Sequence, residues 1–213
     1  HVVVGSTHLY SRGRTRGAYC EVVQRQNVYA PLFRDLPGRV IELGCGRGEM
    51  LAILQSEAVS AWGVDLDPLM VETAQGKGLE AYKRDAMEAL AEQPSASLGG
   101  IFAAQVIEHF FPGDLLELIR LAADRLADGG RVLFETVNPA SPGAMAKSYY
   151  QDLDHKQPIH PDAMKILLEQ AGFDQVEIGF LSPFSEDERL PDLPAQEASG
   201  LSPEAHQILQ DRI

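Results

Sequence analysis

Cysteine is scarce in this chain: Cys20 and Cys45 are the only two among 213 residues. Two distant thiols make neither a disulfide framework nor a C-x-x-C metal knuckle, and a cross-link at Cys45 would distort the glycine-rich loop that contains it. Nor is there an apolar run approaching the ~18 residues a membrane helix needs. The Val2-Val3-Val4 start has neither the basic leading segment nor the long apolar core of a secretory signal, so a cytoplasmic protein without membrane insertion is expected. Basic residues are few as well: 18 Lys and Arg stand against 31 Asp and Glu, a formal net charge of −13. Affinity for nucleic acid rests largely on cations that neutralise phosphates, so this balance speaks against such a partner. The cluster Arg12, Arg14 and Arg16 reads as a solvated terminus. What the chain does have is apolar content, 45% of its residues, enough for one well-packed domain with decoration.

The chain is organised around residues 39–50, Arg-Val-Ile-Glu-Leu-Gly-Cys-Gly-Arg-Gly-Glu-Met. Val40 to Leu43 has the near-continuous apolar character of a buried parallel strand, broken by the single carboxylate of Glu42. Gly44, Gly46 and Gly48 then form a turn that lets backbone N–H groups approach a ligand before a helix begins. A dinucleotide fingerprint needs a third glycine where Glu49 stands, and that carboxylate would crowd and repel a pyrophosphate. NAD is therefore disfavoured. A second strand, Ala61 to Asp65, ends in an acid about 20 residues past the glycines, the usual place for an acceptor of ribose hydroxyls. A nucleoside lacking a pyrophosphate fits, and S-adenosylmethionine (SAM) is one, with an amino group and a sulfonium that Glu42 can complement.

Strand and helix alternate along the rest of the chain. Helical spacing from about Ala18 to Phe33 gives an N-terminal helix that stops near Pro37-Gly38. Met50 to Leu54 carries the stripe of the first core helix, and Asp67 caps a helix from Pro68 to about Gln75. Leu79 to Asp85 is a third strand and Gly100 to Ile107 a fourth with its exit. Leu115 to Leu126 lies on a helix stopped by Gly129-Gly130, and Arg131 to Val137 is a fifth strand. Pro161 opens a helix ended by Gly172, and Val176 to Phe180 is a sixth strand. No convincing seventh strand is found. This order predicts an α/β, doubly wound, mostly parallel sheet, with residues 1–38 as a helical cap, 39–180 as the core and 181–213 as an acidic, proline-rich tail. Ser202-Pro203 opens a last short helix to about Asp211.

Glu-Leu-Gly-Cys-Gly-Arg-Gly-Glu (42–49), Gly-Val-Asp-Leu-Asp-Pro (63–68), Arg-Asp-Ala (84–86), Gln-Val-Ile-Glu-His (105–109) and Leu-Ala-Asp-Gly-Gly-Arg-Val-Leu-Phe-Glu-Thr (126–136) together resemble a class I SAM-dependent methyltransferase, a Rossmann-like fold. Gly100 departs from the Asp often found at its position in that family. The resemblance implies that Glu42, Gly44, Cys45, Gly46, Gly48, Asp65, Leu66, Asp85, Ala86, Met87 and Gln105 form the cofactor site, with Arg16 reaching the methionyl carboxylate. For Asp85, a plain helix cap is the competing reading. Glu135-Thr-Val-Asn-Pro139, Tyr150 to His155 with Pro158 and His160-Pro161, and Ser182-Pro183-Phe184 with Arg189-Leu190 are further similar to methyltransferases associated with bacterial O-antigen and other surface glycans, though Val137 replaces the proline usual there. That likeness implies a sugar or sugar-phosphate acceptor in lipopolysaccharide-type synthesis. A quinone-type or secondary-metabolite acceptor, an NAD-dependent oxidoreductase and a non-catalytic SAM-binding module are the alternatives.

Methyl transfer to a hydroxyl needs an aligned acceptor and a group that takes its proton. In this fold the acceptor meets the carboxyl ends of strands four and five. Glu108 and His109 follow the fourth strand, and Asp152, Asp154, His155 and His160 follow the fifth. His109 and His155, with Glu108, are the candidate catalytic groups, histidine being the default base near neutral pH. Residues 105–109 also resemble the E-x-x-E-H of small-RNA and some ubiquinone-pathway O-methyltransferases, where acids and histidine hold a divalent metal; here the first acid is Gln105, which weakens a hard-cation site, and no metal is expected.

Overall fold

In the computed structural model, which describes residues 19–181 and Ser202, the apolar runs become the strands of one parallel sheet. β1 (Arg39–Leu43), β2 (Ala61–Asp65), β3 (Ala81–Lys83), β4 (Leu98–Ala104) and β5 (Leu126–Glu135) lie in the order β3-β2-β1-β4-β5, and every neighbouring pair is parallel. Parallel neighbours require crossovers, supplied by α2 (Glu49–Ser56), α3 (Pro68–Gln75), α4 (Ala86–Ala91) and α5 (Pro112–Arg125). The fold is the expected Rossmann-like, doubly wound sheet, with α1 (Tyr19–Gln26) preceding it. α6 (Pro142–Lys147) and α7 (Pro161–Gln170) follow β5.

Strand alternation sorts the core into two layers. Ile41, Leu43, Ile101, Ala103, Val132 and Phe134 pack with α4, α5 and α7. Val40, Phe102, Ala104 and Leu133 face the other way, onto α2 and onto Tyr29, Ala30 and Phe33 of the N-terminal cover. Phe33 meets Phe102 edge-on at 6.0 Å and is 1% exposed, a burial worth roughly 1.5–3 kcal/mol.

Several boundaries differ from the sequence expectation, each for a local reason. The N-terminal helix is not continuous: α1 ends at Gln26 and Asn27–Phe33 winds as a 3-10 helix. Pro31 lies within that stretch, lacks an N–H, and would clash with the carbonyl of Asn27 in an α-helix. β3 is shorter than predicted because Asp85 is taken up as the cap of α4. α5 ends at Arg125, before the Gly129-Gly130 stop. The N–H groups of Ala96 and Ser97 claim the carbonyls of Asp124 and Arg125, both at 2.9 Å, and Leu126 pairs with Leu98. The sixth strand is reduced to a single bridge at Val176, which is buried while Phe180 is 60% exposed, so the segment has no apolar face to hold a longer pairing. The helix predicted from Ser202 and the reach of Arg16 lie outside the described residues.

Gly100 owes its identity to the cover. A Cβ there would stand 2.8 Å from Cδ1 of Phe33 and 3.1 Å from Cγ2 of Val40. Any side chain therefore competes with the Phe33 ring that seals this face. Gly100→Ala is expected to cost about 1–3 kcal/mol in urea denaturation, as overpacking does, and adding Phe33→Leu should cost less than the two single changes summed.

Candidate functional site

The strand order reverses between β1 and β4, and a cavity of about 320 Å³ opens beyond the carboxyl ends of β1 to β4. The glycine loop forms its floor. Gly44, Gly46 and Gly48 all have positive φ, at 70°, 54° and 79°. Their roles are not equal. The N–H of Gly46 donates to Oδ2 of Asp65 at 2.8 Å, so the loop is fastened to the tip of β2. Gly44 lines the cavity, and a Cβ on it would lie 2.5 Å from Val106. Gly48 instead backs onto Leu79 and Ala74, where a Cβ would have no room, and serves packing.

Asp65 accepts at both oxygens: Oδ1 takes the N–H of Asp67 at 2.9 Å while Oδ2 holds Gly46. One lone pair on each oxygen is left for a ligand. Asp85 accepts the N–H groups of Met87 (2.8 Å) and Glu88 (3.1 Å) as the cap of α4 and also lines the cavity. Glu42, Cys45, Leu66, Ala86 and Gln105 line it too. Met87 packs against the core below. Glu42, Glu49, Asp65, Asp67, Asp85 and Asp152 face only two guanidiniums, Arg25 and Arg84, among the lining residues. That excess of carboxylate suits a cationic, hydroxyl-bearing ligand and repels a pyrophosphate. The family resemblance implies an N-terminal helix over the cofactor but does not single out Val22, Arg25 and Gln26, which α1 brings to the wall. Their signal was the helical spacing of Val22, Gln26, Tyr29 and Phe33.

At the far end the two candidate histidines meet. The rings of His109, in the turn Ile107–His109 after β4, and His155, beyond α6, are 4.8 Å apart and both line the cavity. Nδ1 of His155 lies 2.7 Å from the carbonyl oxygen of Tyr149, and a carbonyl only accepts, so Nδ1 carries the proton and Nε2 the lone pair. That Nε2 faces Oε1 of Glu108 at 3.9 Å, and its ring is further fixed by Tyr149, 4.6 Å away. Glu108 is fully buried and is not among the residues lining the cavity. His160 is not in this group: its Nδ1 accepts the N–H of Asp162 and caps α7. Asp154 is exposed and is not among the lining residues, whereas Asp152, which accepts the Asp154 N–H at 2.9 Å, lines the wall.

Burial drives the Glu108 carboxyl up to about 8, only partly offset by its own backbone N–H and the Thr136 hydroxyl. Glu135 and Asp152 add to the rise. The folded protein thus holds a proton that the unfolded chain releases near 4.5, so this group's contribution to stability is complete below pH 4.5 and is lost as pH rises toward 8. Glu108→Gln, which keeps the shape without the titration, is expected to raise the melting temperature relative to wild type more at pH 8 than at pH 5. Thermal denaturation at the two pH values checks it.

A methyltransferase-domain family model matches residues 11–178. The ubiquinone biosynthesis O-methyltransferase of Paracidovorax citrulli is 30% identical over 106 residues, 47% of this chain and 44% of that protein. Its counterpart from Xanthomonas oryzae pv. oryzae is 30% identical over 118 residues, 53% and 48% of the two chains. The chain therefore spans about half the length of the curated relatives it matches. Their names match the quinone-type alternative rather than the surface-glycan acceptor expected from the motifs. Among solved structures, a SAM-dependent methyltransferase from Archaeoglobus fulgidus superposes with a TM-score of 0.79 at 31% identity, covering 92% of this chain and 86% of that one. The magnesium protoporphyrin IX methyltransferase of Synechocystis, solved with S-adenosylhomocysteine bound, shares the fold with a TM-score of 0.54 at 21% identity over 72% of each chain.

If the acid at the tip of β2 both shapes the loop and meets the ligand, Asp65→Ala should weaken SAM binding by about 1.5–3 kcal/mol in calorimetric titration. Wild-type affinity in a folded Asp65→Ala protein would place the cofactor elsewhere.

Proposed function

The chain belongs to the class I SAM-dependent methyltransferases, and from that premise we propose that it methylates a hydroxyl on an aromatic, quinone-type acceptor. The observation that carries this reading is the pairing of His109 and His155 on the cavity wall, opposite the carboxylate-rich floor. The floor fits the cofactor: Asp65 has lone pairs free for ribose hydroxyls, and the lining carboxylates complement a cation. Bound there, SAM supplies an electrophilic methyl group on a positive sulfur. Phe110 and Val106 offer the acceptor ring an apolar wall.

His109 is the base, because His155 is nearly sealed, with 3% side-chain exposure, and has one nitrogen committed to the Tyr149 carbonyl and the other turned to Glu108. The His109 imidazole would accept the proton that the acceptor hydroxyl loses on transfer and later return it to solvent, while bound SAM would supply the methyl group and leave as S-adenosylhomocysteine. His155 orients the His109 ring through a tilted ring contact at 4.8 Å. Glu108 keeps His155 in place.

A divalent metal is a second reading, favoured by one observation. Glu108, His109 and His155 each offer a ligand atom, all within 4.8 Å of one another. His155 has the arrangement of a metal-binding imidazole, with its remote nitrogen held by a carbonyl. Two imidazoles and one carboxylate suit a borderline divalent ion, which would act as a Lewis acid on the acceptor oxygen. Gln105, turned toward Glu135, is not a fourth ligand.

Release of S-adenosylhomocysteine with phenolic and sugar acceptors tests the proposal. Turnover is expected on an ortho-hydroxylated phenol, and His109→Ala should slow it by ~10²–10⁴-fold while leaving SAM affinity nearly intact. Transfer to sugar hydroxyls alone would return the acceptor to the glycan class. Loss of activity on chelation, with a melting temperature restored by added Mn²⁺, would favour the metal over the base.

A further inference from the structure

Glu135, the last residue of β5, is fully buried and outside the catalytic group, yet two residues of the cavity wall, Arg25 and Gln105, and one of the cover beside them, Tyr29, converge on it. Its Oε2 accepts the hydroxyl of Tyr29 at 2.7 Å. Its Oε1 lies 3.4 Å from Nη2 of Arg25 and accepts Nε2 of Gln105 at 3.4 Å. Its backbone carbonyl takes the N–H of Gln105 at 2.7 Å. Tyr29 belongs to the 3-10 segment of the cover, Arg25 to α1, and Gln105 to the exit of β4.

Gln105 needs such support. Its φ is +57°, a left-handed backbone unfavourable for a residue with a Cβ, and its Oε1 is sealed from solvent with no hydrogen-bond donor among the described residues. Strain of this kind persists only where the surroundings over-determine it. Glu135 supplies part of that surrounding support, meeting Gln105 through both its backbone carbonyl and its side chain. Burial and the Glu135 carboxylate also keep the Tyr29 phenol protonated, hence a donor. Arg25 supplies the opposite charge that a buried carboxylate requires.

We infer that Glu135 is a positioning residue that holds the N-terminal cover and the strained Gln105 in one arrangement, and so sets the shape of the cofactor end of the cavity. This rests on reading that cavity as the cofactor site. Glu135→Gln keeps the shape and an acceptor for Tyr29 but removes the charge that gathers Arg25, Tyr29 and Gln105. It frees the Gln105 amide to turn and the cover to part from the sheet.

The test is calorimetric titration of S-adenosylhomocysteine into wild type, Glu135→Gln, Tyr29→Phe and Asp65→Ala, with melting temperatures in parallel. For Glu135→Gln the dissociation constant should rise about ten-fold or more at unchanged stoichiometry, and for Tyr29→Phe by a smaller factor in the same direction. Tyr29→Phe serves as the milder change should Glu135→Gln fail to fold. KM for SAM should rise with the dissociation constant while kcat at saturating SAM changes little, a split that general loss of stability does not produce. Wild-type affinity in the Glu135 and Tyr29 variants, with affinity lost in Asp65→Ala, overturns the positioning role and leaves the cavity assignment standing. Wild-type affinity in all three variants overturns the cavity assignment itself.

Discussion

The site depends on one carboxylate holding one loop. Asp65 sits at the end of β2, a strand fixed by its neighbours β1 and β3, and its two oxygens hold the N–H groups of Gly46 and Asp67. The first bond fastens the left-handed turn after β1 and the second bends the chain toward α3. Without that acceptor, three positive-φ glycines at alternate positions would have little to choose one loop shape over another. The constraint is electrostatic as well as geometric. A charge-assisted bond at the carboxyl end of a buried sheet resists exchange for water and leaves lone pairs toward the ligand.

From that anchor the rest of the cavity follows by topology. The strand order places β4 beside β1 on the side opposite β2, so the residues leaving β4 face the glycine loop across the crevice where the order reverses. The β4 exit carries Gln105 and, one turn on, His109; the segment after β5 returns with Asp152 and His155. The two histidines, 46 positions apart, meet because both strand ends open on the same crevice. Beneath them, Glu108 is an ionisable group in a dry environment, which burial pushes toward its neutral form.

The core of this arrangement was legible in the sequence. The glycine loop, the spaced acid and the alternation of apolar runs are local signals with physical causes, and they located β1, β2 and the crevice. Legibility failed where tertiary contacts override local pattern. The end of α5 is decided by Ala96 and Ser97 claiming its last carbonyls, which no spacing within the helix reveals. Gly48 was expected at the cofactor site, and the motif does not reveal that a Cβ there would also collide with Leu79 and Ala74. Glu108 and His109 are adjacent in sequence, yet the turn sends one into the core and the other to the wall. The place of Arg25 in the cavity wall was not legible for a similar reason: it is an ordinary surface residue by composition, and it pairs with Glu135, 110 positions away.

The central claim is that a single cavity holds the cofactor at the Asp65 end and the acceptor at the His109 end. A crystal structure of the protein with S-adenosylhomocysteine tests it most directly. The ribose is expected against Asp65, with the sulfur on the side of the glycine loop that faces His109 and His155. A ribose bound away from Asp65, or a sulfur separated from the two imidazoles by the sheet, would contradict it.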